Sequence, residues 1–367
     1  MDDLAGMLDG RTAPAAKALV EVLEGGRVRC LACGHRCRIP AGKRGICKVR
    51  RNEGGTLRVP FGYVAGLAVD PIEKKPFYHL RPGASALSFG MLGCDLHCPW
   101  CQNWLTSQAL RDGSAGGRFI DLSPAAIAGL AVERGAPVVT STYNEPLITA
   151  DWAAAVFDAA KDRGLLTSFV SNGHGTPEVL DFLAPRLDAM KVDLKSFRPE
   201  GYREAGGTLA HVLATIEGLA ERSIWCEVVT LVIPGYNDSD GELRAMASFL
   251  AGVSPDIPWH VTTFHPDYRY ADRDATPAAT LLRACDLGRE AGLRYVYPGN
   301  VHGSVGDREN TFCPACGGLL VGRRGYRISP IRIGPDGKCP DCGAKIPGLW
   351  GDSRLPSSTG QEILSTS

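Results

Sequence analysis

The stretch Gly93-Cys94-Asp95-Leu96-His97-Cys98-Pro99-Trp100-Cys101-Gln102-Asn103-Trp104 places three cysteines in a C-x3-C-x2-C spacing. Three thiolates on one short loop can bind three irons of a [4Fe–4S] cube, and without a fourth cysteine in the loop one iron stays open. An open iron can bind a small molecule and pass it an electron, which a closed four-ligand structural site does not do. The alternative is a zinc loop that takes a further ligand, such as His97.

The sequence that follows this loop alternates between short apolar segments and helical segments. Helices are predicted to start at Ser123-Pro124, Thr176-Pro177 and Thr276-Pro277, where a hydroxyl can cap the first turn. Six or seven β/α units predict an α/β fold, a partial (β/α)6 TIM-like barrel. A flavodoxin-like sheet is the alternative. The predicted strands, rich in β-branched residues as buried parallel strands are, cover residues 86–92, 137–142, 165–170, 189–194, 224–233, 259–264 and 295–297.

Two further groups of cysteines flank this region. The first group has a C-x2-C-x3-C-x9-C spacing, at Cys30, Cys33, Cys37 and Cys47. Four soft ligands can close one tetrahedral zinc or one auxiliary iron–sulfur cluster, and the basic, glycine-rich linkers favour zinc slightly. The second group forms two Cys-Pro-x-Cys-Gly knuckles, at Cys313, Cys316, Cys339 and Cys342. This pattern predicts a zinc ribbon or a rubredoxin-like iron site. The two remaining cysteines, Cys226 and Cys285, are expected to be buried apolar residues.

Composition narrows the classes of function. The 367 residues include 40 basic and 40 acidic side chains, so a large nucleic-acid-binding face is not expected. The acidic N-terminus does not resemble a secretory signal, and no apolar run approaches the length of a membrane span. Clustered cysteines in such a chain indicate metal sites rather than disulfides, and we expect a cytoplasmic protein.

These patterns predict five segments. We expect an N-terminal helix or tail at 1–27, a four-cysteine metal-binding region at 28–80 and the barrel at 81–305. A zinc-ribbon or rubredoxin-like module follows at 306–352. A disordered tail is expected at 353–367, where serine and threonine are frequent.

The three-cysteine spacing, with Trp100 before its last cysteine, resembles the radical S-adenosylmethionine (radical SAM) superfamily over roughly residues 80–305. The resemblance implies a [4Fe–4S] cluster whose open iron binds the amino and carboxylate groups of S-adenosylmethionine. It also implies reductive cleavage of that cofactor to methionine and a 5′-deoxyadenosyl radical that abstracts hydrogen. Trp100 is placed to pack against the adenine.

The same resemblance suggests which strand-end residues bind the cofactor. Tyr143-Asn144-Glu145-Pro146 is similar to a Gly-Gly-Glu-Pro segment whose carboxylate meets the methionyl ammonium; a helix-capping glutamate is the alternative. Three further candidates lie at strand ends. Ser171 with Asn172 could instead form an ordinary turn, and Asp193 with Lys195 a buried ion pair. His265 could instead be a core histidine.

A narrower resemblance is to the radical enzyme of the AmmeMemoRadiSam system, which is often described as similar to pyruvate formate-lyase activating enzyme. It rests on residues 70–76, 101–104, 143–146, 259–262 and 297–300. It implies the companion protein families of that system as partners, together with an electron donor such as flavodoxin or ferredoxin. The sequence thus predicts hydrogen abstraction, from a protein or peptide in an activase-like or protein-modifying reaction, with a small-molecule substrate as the open alternative. The alternative is a zinc-stapled binding or scaffold protein with a non-catalytic cysteine loop.

Overall fold

The computed structural model describes residues 2–301 and 305–351, so the tail predicted at 353–367 lies outside the described residues. The described residues form nine α-helices and nineteen strands. The helices are α1 Asp2–Asp9, α2 Trp104–Ser107, α3 Pro124–Glu133, α4 Ala150–Lys161, α5 Pro177–Leu183, α6 Pro199–Ala205, α7 Leu209–Glu221, α8 Asp240–Val253 and α9 Ala278–Glu290. None of these helices is both long and apolar enough to cross a bilayer.

One sheet of eight strands organises the molecule. Seven of the strands are parallel and lie side by side in the order in which they occur along the chain, and an eighth pairs antiparallel at one edge. The edge strand is β8 Gly66–Pro71, followed in spatial order by β9 Ser85–Gly90, β11 Val138–Ser141, β12 Leu166–Ser171, β13 Ala189–Asp193, β14 Trp225–Val232, β15 Trp259–Thr263 and β16 Val296–Gly299.

This order confirms the predicted partial barrel. A flavodoxin-like sheet would place the second strand outside the first, whereas here each crossover leads to the next neighbour. Because β8 and β16 are both edge strands, the barrel is open. Helices α3, α4, α5, α7, α8 and α9 cover the outer face, and the largest apolar core lies between them and the sheet.

Two smaller assemblies flank the barrel. On the N-terminal side, short antiparallel strands carry the first cysteine group: β1 Thr12–Pro14, β2 Val20–Val22, β3 Val28–Cys30, β4 Arg38–Ile39, β5 Arg51–Glu53, β6 Thr56–Pro60 and the pair β7 Tyr63–Val64 with β10 Ile120–Asp121. On the C-terminal side, a three-stranded sheet carries the second group: β17 Thr311–Phe312, β18 Leu319–Arg324 and β19 Arg327–Ile331.

The boundaries differ in part from those expected. The main sheet begins at β8, within the segment 28–80 that was assigned to the metal-binding region, because residues 66–71 pair with β9 in unbroken register. The segment 1–27 is also more than a helix or tail, since β1 and β2 both pair with later strands.

Candidate cofactor-binding site

The three-cysteine loop begins directly after β9, at the carboxyl end of the first parallel strand. Gly93 adopts φ +95°, and a Cβ there would lie 2.8 Å from Val49, so the loop packs tightly on the N-terminal region. The backbone amide of Leu96 donates to the Cys94 sulfur at 3.3 Å. At the other end of the loop, the Cys101 sulfur lies 3.3 Å from the Ser107 hydroxyl.

The metal-ligating atoms of this loop are not gathered at the separations of a single-ion site. No three metal-ligating atoms drawn from Cys94, Cys98, Cys101 and His97 lie within 4.8 Å of one another, although all four residues are described. His97 is exposed, which speaks against the alternative of a zinc loop completed by that histidine. Burial raises the pKa of Cys98 to about 12, so ionisation of this thiol depends on a cation such as iron nearby.

The loop opens into a cavity of about 490 Å³ on the inner face of the open barrel. Cys98, Trp100 and Cys101 line one end, and side chains from β13, β14 and β15 line the wall. Gly325 and Tyr326, in the turn between β18 and β19, line the far end. The cavity therefore runs from the cysteine loop to the C-terminal module.

Trp100 is buried between two tyrosines as well as lining the cavity. Its ring centroid lies 4.5 Å from that of Tyr236 and 5.5 Å from that of Tyr270. These contacts fix the indole beside Cys101, where a flat aromatic ligand entering the cavity would meet it.

Asp193 and Lys195 line the same cavity, as their strand-end position predicts. The Lys195 ammonium donates to Asp193 at 2.9 Å, and Lys191 contacts the other carboxylate oxygen. Although burial opposes ionisation, the charges of the two lysines lower the pKa of Asp193 to about 2. The trio therefore carries a net positive charge beside the cysteine loop, which suits an anionic group of a ligand.

Glu145 lies behind the cavity wall, among the residues that hold the loop ends together. Its Oε1 accepts from the Ser171 hydroxyl at 2.6 Å and from the amide of Leu147 at 3.0 Å, and its Oε2 accepts from the amide of Asn172 at 2.8 Å. Burial and the nearby Asp95 raise its pKa above the usual range for a carboxyl. Asn144 accepts from the amide of Met91 at 2.9 Å. None of these predicted residues is among those that line the cavity.

His265 lies apart from the other predicted site residues. Its side chain is exposed, its nearest polar contact is the Thr263 hydroxyl at 3.4 Å, and it does not line the cavity. His265 follows β15 in a loop that turns outward, whereas the inward-pointing histidine of that strand is His260. His260 is held by Glu227, with 2.7 Å between Nε2 and Oε2.

Sequence reasoning missed three residues at the site. Asp95, inside the cysteine motif, accepts from Asn172 at 2.8 Å, and its other oxygen lies 2.9 Å from His174 Nδ1. Glu73 lines the cavity with a buried Oε2 that has no hydrogen-bond partner among the described residues, and burial raises its pKa to about 7. Tyr143 adopts φ +71°, the left-handed backbone that the glycine in the similar Gly-Gly-Glu-Pro segment would adopt without strain. The sequence signal that could have identified Tyr143 is the tyrosine at a position where the similar segment has glycine.

The two outer cysteine groups differ in geometry. In the C-terminal module all four sulfur atoms lie within 4.8 Å of one another, and two pairs, Cys313 with Cys342 and Cys316 with Cys339, are 3.7 Å apart. A tetrahedral ion with bonds of about 2.3 Å to sulfur needs separations of about 3.8 Å, so this module fits a single ion. The N-terminal group has no such trio of sulfur atoms.

Comparisons with known proteins agree with this geometry. The model of the Radical SAM superfamily matches residues 90–247. An uncharacterized protein of Methanocaldococcus jannaschii is 36% identical over 329 residues, which cover 89% of this chain and 97% of the relative.

Activating enzymes are more distant relatives. The (2S)-3-sulfopropanediol sulfolyase activating enzyme of Bilophila wadsworthia is 28% identical over 40% of this chain, and the benzylsuccinate synthase activating enzyme of Thauera aromatica is 25% identical over 47%. The matches span 50% and 57% of those two proteins. A domain of pyruvate-formate lyase-activating enzyme from Bacteroides vulgatus superposes with a TM-score of 0.40 at 18% identity, covering 44% of this chain and 98% of that domain. With its cysteine loop, its open barrel, its match to the Radical SAM superfamily model and its sequence similarity to activating enzymes, the chain belongs to the radical SAM superfamily.

Proposed function

We propose that this protein cleaves S-adenosylmethionine reductively at a [4Fe–4S] cluster held by Cys94, Cys98 and Cys101, and that it abstracts hydrogen from a protein or peptide. The observation that carries the proposal is the position of the loop, at a strand end, with Cys98 and Cys101 lining the cavity of the open barrel. When bound, the cluster supplies the electron that cleaves the sulfonium to methionine and a 5′-deoxyadenosyl radical.

The residues of the chain divide into those that touch the cavity and those that support it. Trp100 supplies an apolar face for the adenine, and Lys195 with its neighbour Lys191 supplies positive charge for the methionyl carboxylate. Glu145 holds Ser171 and Asn172 in place through one hydrogen bond to each, and it accepts a third from the amide of Leu147. Its predicted contact with the methionyl ammonium, and those of Asn144, Ser171 and Asn172 with the cofactor, remain part of the proposal.

A protein or peptide substrate is favoured by the relatives that are named activating enzymes. Glu309 and Tyr326 of the C-terminal region line the cavity, so a substrate chain bound there would also contact that region. We propose a single zinc ion in that module, since its four sulfur atoms fit one ion. A flavodoxin or ferredoxin donor, AmmeMemoRadiSam-type companions and a cytoplasmic location complete the proposal. The free state of all thirteen cysteines suits a reducing compartment.

The test is the formation of 5′-deoxyadenosine from S-adenosylmethionine and dithionite by anaerobically reconstituted protein. Cys98→Ala should reduce this product to background, because one of three cluster ligands is lost. Cys285→Ala is the matched control, since Cys285 is an equally buried cysteine in α9, and it should retain activity. Equal product from Cys98→Ala would contradict the proposal and would favour the scaffold alternative.

A further inference from the structure

The N-terminal cysteine group lies directly against the catalytic loop. Cys30, Cys33 and Cys47 are buried and Cys37 is half-buried. β3 ends at Cys30, a tight turn follows Cys33, and Cys47 stands in the loop before β5. The Gly93 backbone packs on this loop, and a Cβ there would lie 3.2 Å from the Cys47 carbonyl oxygen. The position of the group is thus set by the same contacts that shape the catalytic loop.

Like the catalytic loop, the N-terminal group has no three sulfur atoms within 4.8 Å of one another, whereas the C-terminal module does. Every cysteine is described, and the structure brings only the C-terminal sulfur atoms to the separations of a single ion. In a [4Fe–4S] cube each thiolate binds a different iron, so the sulfur atoms stand farther apart than they do around one zinc.

The surroundings of the group suit a buried anionic centre. Arg50 is 1% exposed, and its Nη1 lies 3.7 Å from the Cys30 sulfur. The amide of Ile46 donates to the Cys37 sulfur at 3.5 Å. A buried guanidinium and an amide donor stabilise thiolates bound to a metal centre, and hydrogen bonds to sulfur also tune the reduction potential of a cluster.

The Asp95 side chain lies close to sulfur atoms of both the N-terminal group and the catalytic loop. The Asp95 carboxylate lies 3.8 Å from the Cys94 sulfur, and a ligating atom of Asp95 lies within 4.8 Å of the Cys33 sulfur. His174 completes this contact, with its Nδ1 2.9 Å from Asp95. The Asp95 oxygens already accept hydrogen bonds from His174 and Asn172. The close approach of Cys33, Asp95 and His174 therefore does not require a separate metal ion between them.

We propose that Cys30, Cys33, Cys37 and Cys47 hold a second [4Fe–4S] cluster, which passes electrons to the catalytic cluster across the Asp95–His174 contact. A low-potential one-electron protein donor reduces the second cluster, which then returns to its oxidised state as the catalytic cluster gains the same electron. The site assignment stands on its own geometry, whereas the relay rests on the proposed function.

Metal analysis after anaerobic reconstitution tests the site. We expect about eight iron atoms per chain, in two clusters of four, and one zinc. The Cys33→Ala/Cys37→Ala double variant should lose half of the iron and keep the zinc. The Cys94→Ala/Cys98→Ala/Cys101→Ala triple variant should keep the other half, with a reducible cluster visible by electron paramagnetic resonance.

The site assignment would be overturned if wild type bound a second zinc and the Cys33→Ala/Cys37→Ala variant lost that zinc while keeping the same iron content as wild type. Iron absent from the triple variant would overturn it as well, and it would do so even if wild type cleaves S-adenosylmethionine. Conversely, a triple variant that still forms 5′-deoxyadenosine would refute the proposed function and leave the site assignment intact.

The relay is tested by comparing two reductants. The Cys33→Ala/Cys37→Ala variant should lose at least about ten times more 5′-deoxyadenosine formation with reduced flavodoxin than with dithionite, since only the small reductant can reach the catalytic cluster directly. His174→Gln keeps every cluster ligand and should have unchanged iron content. It should also lose more 5′-deoxyadenosine formation with flavodoxin than with dithionite, by a smaller factor than the double variant. Equal losses with both reductants in both variants would overturn the relay.

Discussion

The buried ion pair between Arg50 and Asp151 connects the N-terminal region to the barrel, and removing its acidic partner should be costly. Arg50 is 1% exposed, donates to the Ile148 carbonyl at 2.7 Å and contacts Asp151 through Nη2. Asp151, in the first turn of α4, also accepts from the amide of Ala16 at 2.7 Å. Asp151→Asn keeps that last contact but removes the carboxylate that pairs with the buried guanidinium.

Breaking a buried pair by removing one partner costs about 3–5 kcal/mol. With a denaturant dependence of about 3 kcal/mol per molar, the urea midpoint should fall by about 1–1.7 M. The matched control is Glu178→Gln, which removes the carboxylate partner of Arg36 from a pair whose side chains are each 36% exposed. That loss should be below about 1 kcal/mol.

The assay is urea unfolding followed by circular dichroism, with the same metal loading in wild type and both variants. Similar midpoints for Asp151→Asn and Glu178→Gln would refute the reasoning, because burial would then make no difference to the cost of losing the partner. A midpoint loss confined to Asp151→Asn is the expected result.

Three further predictions follow from individual contacts. Gly90→Ala should lower 5′-deoxyadenosine formation at unchanged iron content, because the new Cβ would lie 2.3 Å from the Thr142 carbonyl oxygen at the cavity wall, whereas Gly129→Ala in the open middle of α3 should keep activity and gain up to about 1 kcal/mol of stability. The stability difference between wild type and Asp193→Asn, measured by urea unfolding, should have its full size above about pH 4 and should vanish toward pH 2. Two lysines hold the pKa of this carboxyl at about 2 in the folded protein, so the folded protein keeps the carboxylate charged until the pH falls to about 2. Cys342→Ser should lose zinc and not iron in elemental analysis, since the C-terminal sulfur atoms are spaced for one ion.

The barrel could be predicted because its signals are local. Short apolar segments separated by capped helices define β/α units, and the Ser123 and Thr176 hydroxyls do cap α3 and α5. Thr276 looks the same in sequence, yet its hydroxyl contacts the Val232 carbonyl and accepts from the amide of Phe264, so α9 begins one residue later than a threonine cap implies. A local sequence pattern does not reveal which capping hydroxyl will instead hydrogen-bond to the backbone of a neighbouring strand or loop.

The site could be predicted only in part for a similar reason. The cysteine spacing locates the loop, and strand ends locate Asp193 and Lys195 at the cavity. The direction in which a loop turns is a tertiary property, which is why His265 faces solvent and His260 lines the wall instead. The contact of Asp95 with the N-terminal cysteines depends on how two distant segments pack, and no spacing along the chain contains that information.

The most direct test of the central claim is whether S-adenosylmethionine binds at the open iron of the three-cysteine loop. The measurement is electron paramagnetic resonance of the reduced Cys33→Ala/Cys37→Ala variant, in which the N-terminal group no longer contributes a signal. Adding S-adenosylmethionine should change the g-values of the remaining cluster, because a ligand joins the iron that carries no cysteine. A cluster signal that is identical with and without S-adenosylmethionine would contradict the account.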